Sequence, residues 1–340
     1  MTSAEYMITL IGTKHSKRTD YFIKAAQAYD TKVHLLEWAE VFDNFAYVKA
    51  QLENVPVKID PPSYQTIRLQ DMKEQIEGYI KSLHKLTKTT AQFLNTPDAI
   101  CLVLDKRTTK QLLQQKGISV TEMIAKTVSS ITELLDIMKK KRAYSVFIKP
   151  CEYSGAAGVA AFRIHPATRQ MKLYTSCKMT EQGLCNTKGL YCMEDDKEII
   201  DMLERLIGLD VIVERWHAKD TIEQKSYDLR VVFQFGKVAH IVVRRSNGPI
   251  TNLHLNNQAA ELELLGLDTK KLDEIETLCA QACHEIPGLQ VAGVDVMLEK
   301  GSKKPRIIEI NGQGDLIYQD IFSENRIYRQ QIEYLMQNGG

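Results

Sequence analysis

The sequence predicts a mixed α/β (α+β) fold that opens on a small Rossmann-like domain. Three observations carry this reading. First, Tyr6 to Gly12 reads as a buried strand, Asp20 to Tyr29 as an amphipathic helix and Lys32 to Glu37 as a second strand, the order of a parallel α/β unit. Second, short strands further along come in consecutive pairs, Val159 to Ile164 with Met171 to Thr175, and Leu229 to Phe235 with Lys237 to Arg244. Third, the last pair carries acids inside apolar runs: Asp295 in Val-Ala-Gly-Val-Asp-Val-Met-Leu, then Glu309 and Asn311 in Pro-Arg-Ile-Ile-Glu-Ile-Asn-Gly.

In chain order, a polar loop is expected from Thr13 to Arg18, and Phe22, Ile23, Ala26 and Tyr29 line one side of the first helix. No G-x-G-x-x-G follows the first strand, so the dinucleotide fingerprint is absent. Pro56 to Tyr64, with Pro61-Pro62, reads as a loop, and Gln65 to Leu94 as one long polar helix or two. Ala99 to Leu104 reads as a short strand closed by Asp105-Lys106, and a helix runs from Thr108 to Lys116, ended by Gly117. Thr132 to Lys141 is a helix, Ser145 to Lys149 a strand, Asp196 to Gly208 a helix, Asp210 to Trp216 a strand and Lys270 to Glu285 a helix. This divides the chain into 1–95, 96–210 and 211–330.

At 340 residues, 44% hydrophobic and 26% charged, the chain can bury a substantial core. A formal charge of +1 gives no global field favouring nucleic acid or membrane. No stretch approaches the roughly 20 apolar residues of a membrane helix. Seven cysteines without Cys-x-x-Cys spacing read as reduced thiols, and Glu5 with no early apolar run argues against a secretory signal, so a cytoplasmic protein is expected.

Burying carboxylates among Val, Ile and Leu is costly unless their charge is compensated. Asp295, Glu309 and Asn311 offer only hard oxygen ligands, which suit Mg²⁺ beside substrate phosphates. Glu309 and Asn311 share a strand face, and Asp295 can join them from a neighbouring strand across the turn 299–305. Lys149 ends its strand just before Ser154-Gly155-Ala156-Ala157-Gly158, a small-residue loop whose amides can approach phosphate while the lysine adds a point charge. It is not a Walker A loop, since no Gly-Lys-Ser/Thr follows.

The ordered set Asp105-Lys106, Phe147-Ile148-Lys149-Pro150 with its loop, Val213-Glu214-Arg215-Trp216, Asp228-Leu229-Arg230, Gly293-Val294-Asp295 and Glu309-Ile310-Asn311 resembles the ATP-grasp superfamily over about residues 95–325. Members include D-alanine–D-alanine ligase, glutathione synthetase and RimK-like glutamate ligases. The resemblance implies an ATP-grasp fold, with residues 1–95 as the pre-ATP-grasp domain. It implies Lys106 and Lys149 on the ATP phosphates, Ser154, Gly155 and Gly158 in the loop over them, and Glu214 on the ribose. Trp216 would stack near the adenine, and Asp228 and Arg230 would form the Asp-x-Arg pair, with Arg230 facing the transferred phosphate or the substrate. Asp295, Glu309 and Asn311 match the metal triad for Mg²⁺, with Mn²⁺ as a substitute. Arg244 resembles the arginine at the acyl phosphate, and Asn252 and His254 would share a substrate-facing side.

Each position also has a structural reading: Asp228 with Arg230 as an exposed ion pair, Trp216 as core packing, Glu214 as a surface acid. The activity implied is an ATP- and Mg²⁺-dependent carboxylate–amine ligase working through an acyl phosphate on a small carboxylate and amine or a peptide. A small-molecule kinase and a non-catalytic nucleotide-binding module are the alternatives. Lys17, Arg18, Arg244 and Arg245 hint at an anionic substrate, and analogy with the superfamily allows a homodimer.

Overall fold

The computed structural model describes residues 7–64 and 66–338, with the His254 side chain outside the described part; Tyr6 and Gln65 of the expected elements also lie outside it. Three sheets follow one another along the chain. In the first, β1 (Met7–Gly12), β2 (Lys32–Glu37), β3 (Pro56–Ile59) and β4 (Gln92–Phe93) pair in parallel in the order β2-β1-β3-β4. Helices α1 (Lys17–Gln27), α2 (Trp38–Asp43), α3 (Phe45–Gln51) and α4 (Leu69–Leu86) connect and cover it.

Two expectations fail here. Ser16 accepts from the Thr19 amide and caps α1, so Lys17 and Arg18 begin the helix instead of closing a loop. Pro56–Ile59 is a strand with every residue buried. Lys58 hid it, because it interrupts the apolar pattern; the structure pairs it with Asp60 and, at 3.2 Å, with Asp315.

Helices α5 (Pro97–Leu104) and α6 (Lys106–Gln115) lead to the second sheet. The expected strand at 99–104 is helical. Thr96 accepts from the Ala99 amide, Pro97 takes the first turn, and the helix sits between two cores: Ala99 and Val103 face one, Ile100 the other. A helix buried on both sides carries no polar stripe, so its short apolar run looks like a strand.

The second sheet is antiparallel: β5 (Met123–Ala125), β6 (Ser145–Pro150), β7 (Ala160–Ile164), β8 (Met171–Thr180), β9 (Gly183–Met193) and β10 (Val211–Arg215), in the order β5-β10-β6-β7-β8-β9. Helices α7 (Ile131–Lys140) and α8 (Asp196–Ile207) pack on it through Leu134, Met138, Ile199, Leu203 and Leu206. Because β10 pairs with β6, residues 211–215 sit with this sheet and not with the next.

The third sheet holds β11 (Thr221–Ile222), β12 (Lys225–Gln234), β13 (Lys237–Ser246), β14 (Gln258–Ala260), β15 (Val291–Leu298) and β16 (Pro305–Asn311), in the order β14-β13-β12-β15-β16 with β11 beside β12. Helix α9 (Thr269–His284) covers one face through Ile275, Leu278 and Cys279. After α10 (Tyr318–Ile321) the last helix, α11 (Arg326–Asn338), returns to the first sheet, where Tyr328 and Ile332 pack with Ile8, Leu10 and Phe22. No helix among the described residues is long and apolar enough to cross a membrane, and all seven cysteines are free.

Candidate active site between the second and third sheets

Opposed residues of antiparallel strands share a face, and the register of the third sheet uses this to lay charges in rows. Arg230 on β12 stands opposite Asp295 on β15, which stands opposite Glu309 on β16; Asp228 on β12 stands opposite Arg244 on β13. The alternative reading of Asp228 and Arg230 as an exposed ion pair with each other does not hold, since each pairs across strands. Arg230 grips Asp295 with Nε at 2.6 Å and Nη2 at 3.3 Å, and Arg244 adds Nη2 at 3.1 Å. Arg244 Nε also donates to Asp228 at 2.7 Å, where Lys219 Nζ arrives at 3.1 Å and the Thr251 hydroxyl donates too. Burial pushes the Asp228 carboxyl up, but Arg244 and Lys219 hold it well below the usual range. Arg245, on the other face, pairs with Glu223 at 2.7 Å.

The second sheet contributes lysines. Lys149, 6% exposed at the end of β6, lies 3.0 Å from Glu214 Oε2. Glu214 is 1% exposed, with its other oxygen 2.6 Å from Lys110 Nζ and a 2.7 Å bond from Thr121. Glu214 lines the cleft opposite Phe147, but both of its oxygens are engaged by Lys110, Lys149 and Thr121, so a ribose contact would have to share an oxygen with these partners. Burial alone would raise its pKa; Lys110 and Lys149 bring it down to about 2. Burial in turn pushes the Lys110 ammonium down to about 8 despite the pull of Glu214. Lys106 opens α6 behind the Asp105 cap and donates to the Tyr153 carbonyl.

Glu309 shows whether a cation fits. Burial would raise its carboxyl, but Lys106 and Lys149 hold it low, so it stands ionised as a hard donor. The Asn311 amide donates to Glu309 at 3.2 Å, which turns its carbonyl oxygen the other way. Glu309 thus fits Mg²⁺ as it stands, and Asn311 fits it once its amide turns over to present oxygen beside Glu309. Asp295 fits only by sharing an oxygen with an arginine, since Arg230 and Arg244 already take both. Among the described residues no group of three His, Cys, Asp or Glu gathers for a metal, so any site here mixes carboxylate with amide.

A narrow cleft between the two sheets is lined by Phe147, Met297 and Ile308 on its apolar walls and by Lys106, Lys149 and Glu309 at its charged end. Trp216 does not line it. Its ring packs outside on Phe147 (5.4 Å) and Tyr174 (6.2 Å) under Arg163, so the expected stacking residue is a buttress and Phe147 is the aromatic that faces the cleft. Trp216 stands just past the end of β10 at Arg215, its amide bonding the Ser145 carbonyl at the start of β6. His217 packs locally, accepting from the Glu122 amide at 3.3 Å, and burial lowers its pKa.

The loop 154–158 turns tightly. Gly155 and Ala156 both have positive φ (66° and 64°), and the Ala157 amide bonds the Ser154 carbonyl at 3.2 Å. Beyond the loop a second cavity of about 510 Å³ reaches the first domain. Its lining includes Arg230, Arg244, Glu309, Asn311 and Asn252, together with Arg18, Tyr64 and Tyr79 of the first domain and the apolar Ile76, Ile100 and Leu316. Arg18 is fixed there by Asp315 (2.5 Å) and the Gln313 carbonyl (2.7 Å).

Sequence reasoning missed Lys110, Lys219, Thr251, Phe147 and Met297. Only Lys110 left a signal, standing one helical turn after Lys106.

No protein-family model matches the chain, and no curated protein sequence matches it significantly. Solved structures do. The D-cycloserine synthetase DcsG superposes with a TM-score of 0.62 at 13% identity, covering 97% of this chain and 99% of its own. The ATP-grasp ligase PsnB, complexed with a minimal precursor, Mg and ADP, gives 0.57 at 14% identity, with 98% of each chain covered. D-alanine–D-alanine ligase from Bacillus anthracis, complexed with ATP, gives 0.58 at 14% identity, covering 98% and 97%. At such identities the likeness speaks for architecture, and over nearly the whole length it is unambiguous: this chain has the ATP-grasp fold.

Proposed function

We propose that the protein is an ATP- and Mg²⁺-dependent ligase that joins a carboxylate to an amine. The observation that carries this is the convergence of Lys106, Lys149 and Glu309 in one cleft, with Asn311 on the adjoining cavity that Lys106 and Glu309 also line, next to the Arg230–Asp295–Arg244 clamp. A polyphosphate with its cation is the ligand that this mixture of fixed ammonium groups and hard oxygens suits. The apolar walls at Phe147, Met297 and Ile308 suit the adenine ring. DcsG, PsnB and D-alanine–D-alanine ligase, whose names describe a synthetase and ligases, support the reading.

The chemistry follows from where charge sits. A substrate carboxylate in the larger cavity attacks the γ-phosphorus of ATP; the bond to ADP breaks and an acyl phosphate forms. Lys149 and Arg230 are placed to offset charge on the transferring group, and Arg244 borders the cavity where the acyl phosphate would stand. Glu309 and Asn311, with Asp295 sharing, would hold Mg²⁺, which would supply further neutralisation when bound. An amine then attacks the acyl carbon and phosphate leaves. No protein nucleophile is required; positioning and exclusion of water by the 154–158 loop meet the demand.

The larger cavity supports a reading of the substrate class. Its walls are mainly apolar, with the Arg18 guanidinium held on its lining by Asp315, which suits an amino acid or peptide terminus with an apolar body. Glu309→Gln tests the assignment. It should abolish ATP turnover at a temperature where circular dichroism shows the variant folded; full turnover in the folded variant would sink it.

A further inference from the structure

Lys110 sits behind the cleft and not in it. It is 5% exposed, and its ammonium donates to Thr121 at 2.6 Å and to the Ile308 carbonyl at 3.1 Å while lying 2.6 Å from Glu214 Oε1. Glu214 offers its other oxygen, Oε2, to Lys149 at 3.0 Å. One buried carboxylate thus stands between two ammonium groups; Glu214 and Lys149 line the cleft and Lys110 does not. Thr121 ties the group together, accepting from Lys110 and donating to Glu214 at 2.7 Å.

The charges decide what this arrangement does. Lys110, Glu214 and Lys149 together carry one net positive charge. Without Lys110, Glu214 and Lys149 would form a one-to-one pair and the net charge would vanish. Glu214 would also be free to turn both oxygens on Lys149.

We propose that Lys110 is a positioning residue for the nucleotide: by occupying one oxygen of Glu214 it leaves Lys149 incompletely neutralised and fixed on β6 to receive phosphate. The proposal rests on the nucleotide-binding reading above. Glu214 becomes a divider of charge between a structural lysine and a ligand-facing one. The competing role for Lys110 is plain bracing of α6 against β16 through the Ile308 carbonyl. Bracing would be lost regardless of what stands at Glu214, and would affect every part of the ligand alike.

The experiment is calorimetric titration of the full chain with Mg-ATP and, separately, with adenosine. Lys110→Met should weaken Mg-ATP about tenfold, the scale of one charge-assisted hydrogen bond, and leave adenosine within about twofold. Adding Glu214→Gln should bring Mg-ATP back to within about threefold of wild type, because Lys149 is again uncompensated. Equal weakening of Mg-ATP and adenosine, or a double variant no better than Lys110→Met, would overturn the proposal. Should Lys110→Met fail to fold, Thr121→Val removes the bridging hydroxyl and should show the same ATP-specific loss at about threefold; no loss, or an equal loss for adenosine, would count against the proposal. A wild-type chain that binds no Mg-ATP would overturn the nucleotide reading itself, and this outcome is distinct from the others.

Discussion

Gly158→Ala tests how the phosphate loop is anchored. Gly158 has φ +72°, and a Cβ there would lie 2.5 Å from Pro150 Cγ and 3.2 Å from its Cδ. Two costs add. An L side chain in the left-handed region costs roughly 1–2 kcal/mol. Overpacking against a closed ring, which has no rotamer to escape into, costs about 1–3 kcal/mol more. The sum is about 2–5 kcal/mol, a large share of the about 5–15 kcal/mol that holds a typical domain together. Pro150 follows Lys149 directly, so the displacement also reaches the lysine that borders the cleft. Urea unfolding measures the first effect and Mg-ATP titration the second; both should worsen. Ala156→Gly, one turn away at φ +64°, should run the other way, gaining about 0.5 kcal/mol once glycine's greater freedom in the unfolded chain is set against the relieved strain. A Gly158→Ala variant within about 0.5 kcal/mol of wild type would refute the close approach of loop and strand.

Three further outcomes follow from the site. Asp228→Asn leaves Arg244 and Lys219 without their shared buried carboxylate and should cost about 3–5 kcal/mol in urea unfolding; a loss under about 1 kcal/mol would contradict the pairing. Trp216→Phe should leave Mg-ATP affinity within about twofold, whereas Phe147→Ala should weaken it about tenfold; the reverse order in titrations would restore Trp216 as the stacking residue. Glu214, held at about 2, makes stability acid-sensitive. Between its folded and unfolded pKa values the unfolded chain binds the extra proton, so its contribution is complete above about pH 4.5 and is lost as pH falls towards 2. Glu309, Asp228 and Asp315 are shifted the same way and steepen the decline. Melting temperature against pH should fall through this window, and a flat profile down to pH 3 would contradict it.

What the sequence made legible, and what it hid, have physical reasons. The acid-bearing hairpin was readable because Asp295, Glu309 and Asn311 interrupt strongly apolar strands, and period-2 geometry then fixes which side chains share a face. The cross-strand partners were not readable. Register decides that Arg230 meets Asp295 and Asp228 meets Arg244, and register is set by pairing far along the chain. Strand β3 was hidden by Lys58, a charge whose partners, Asp60 and Asp315, lie at the strand end and some 250 residues away. Helix α5 was hidden because burial on two sides erased its periodicity. Trp216 was misassigned because an aromatic beside a hinge acid suggests a ligand platform, while just past the end of β10 at Arg215 it packs on Tyr174. Lys110 was overlooked because a lysine in a polar helix ordinarily faces solvent; only the fold shows that it points inward at Glu214.

The central claim is that ATP is spent to activate a carboxylate for attack by an amine. The most direct test incubates the full chain with Mg-ATP and a pool of amino acids, short peptides and small carboxylates, following ADP and phosphate release and the masses of the products. A carboxylate–amine ligase yields ADP, free phosphate and a new mass equal to two pool members less water. ADP accompanied by a phosphorylated pool member, with no condensed product, would contradict the claim and make the protein a kinase.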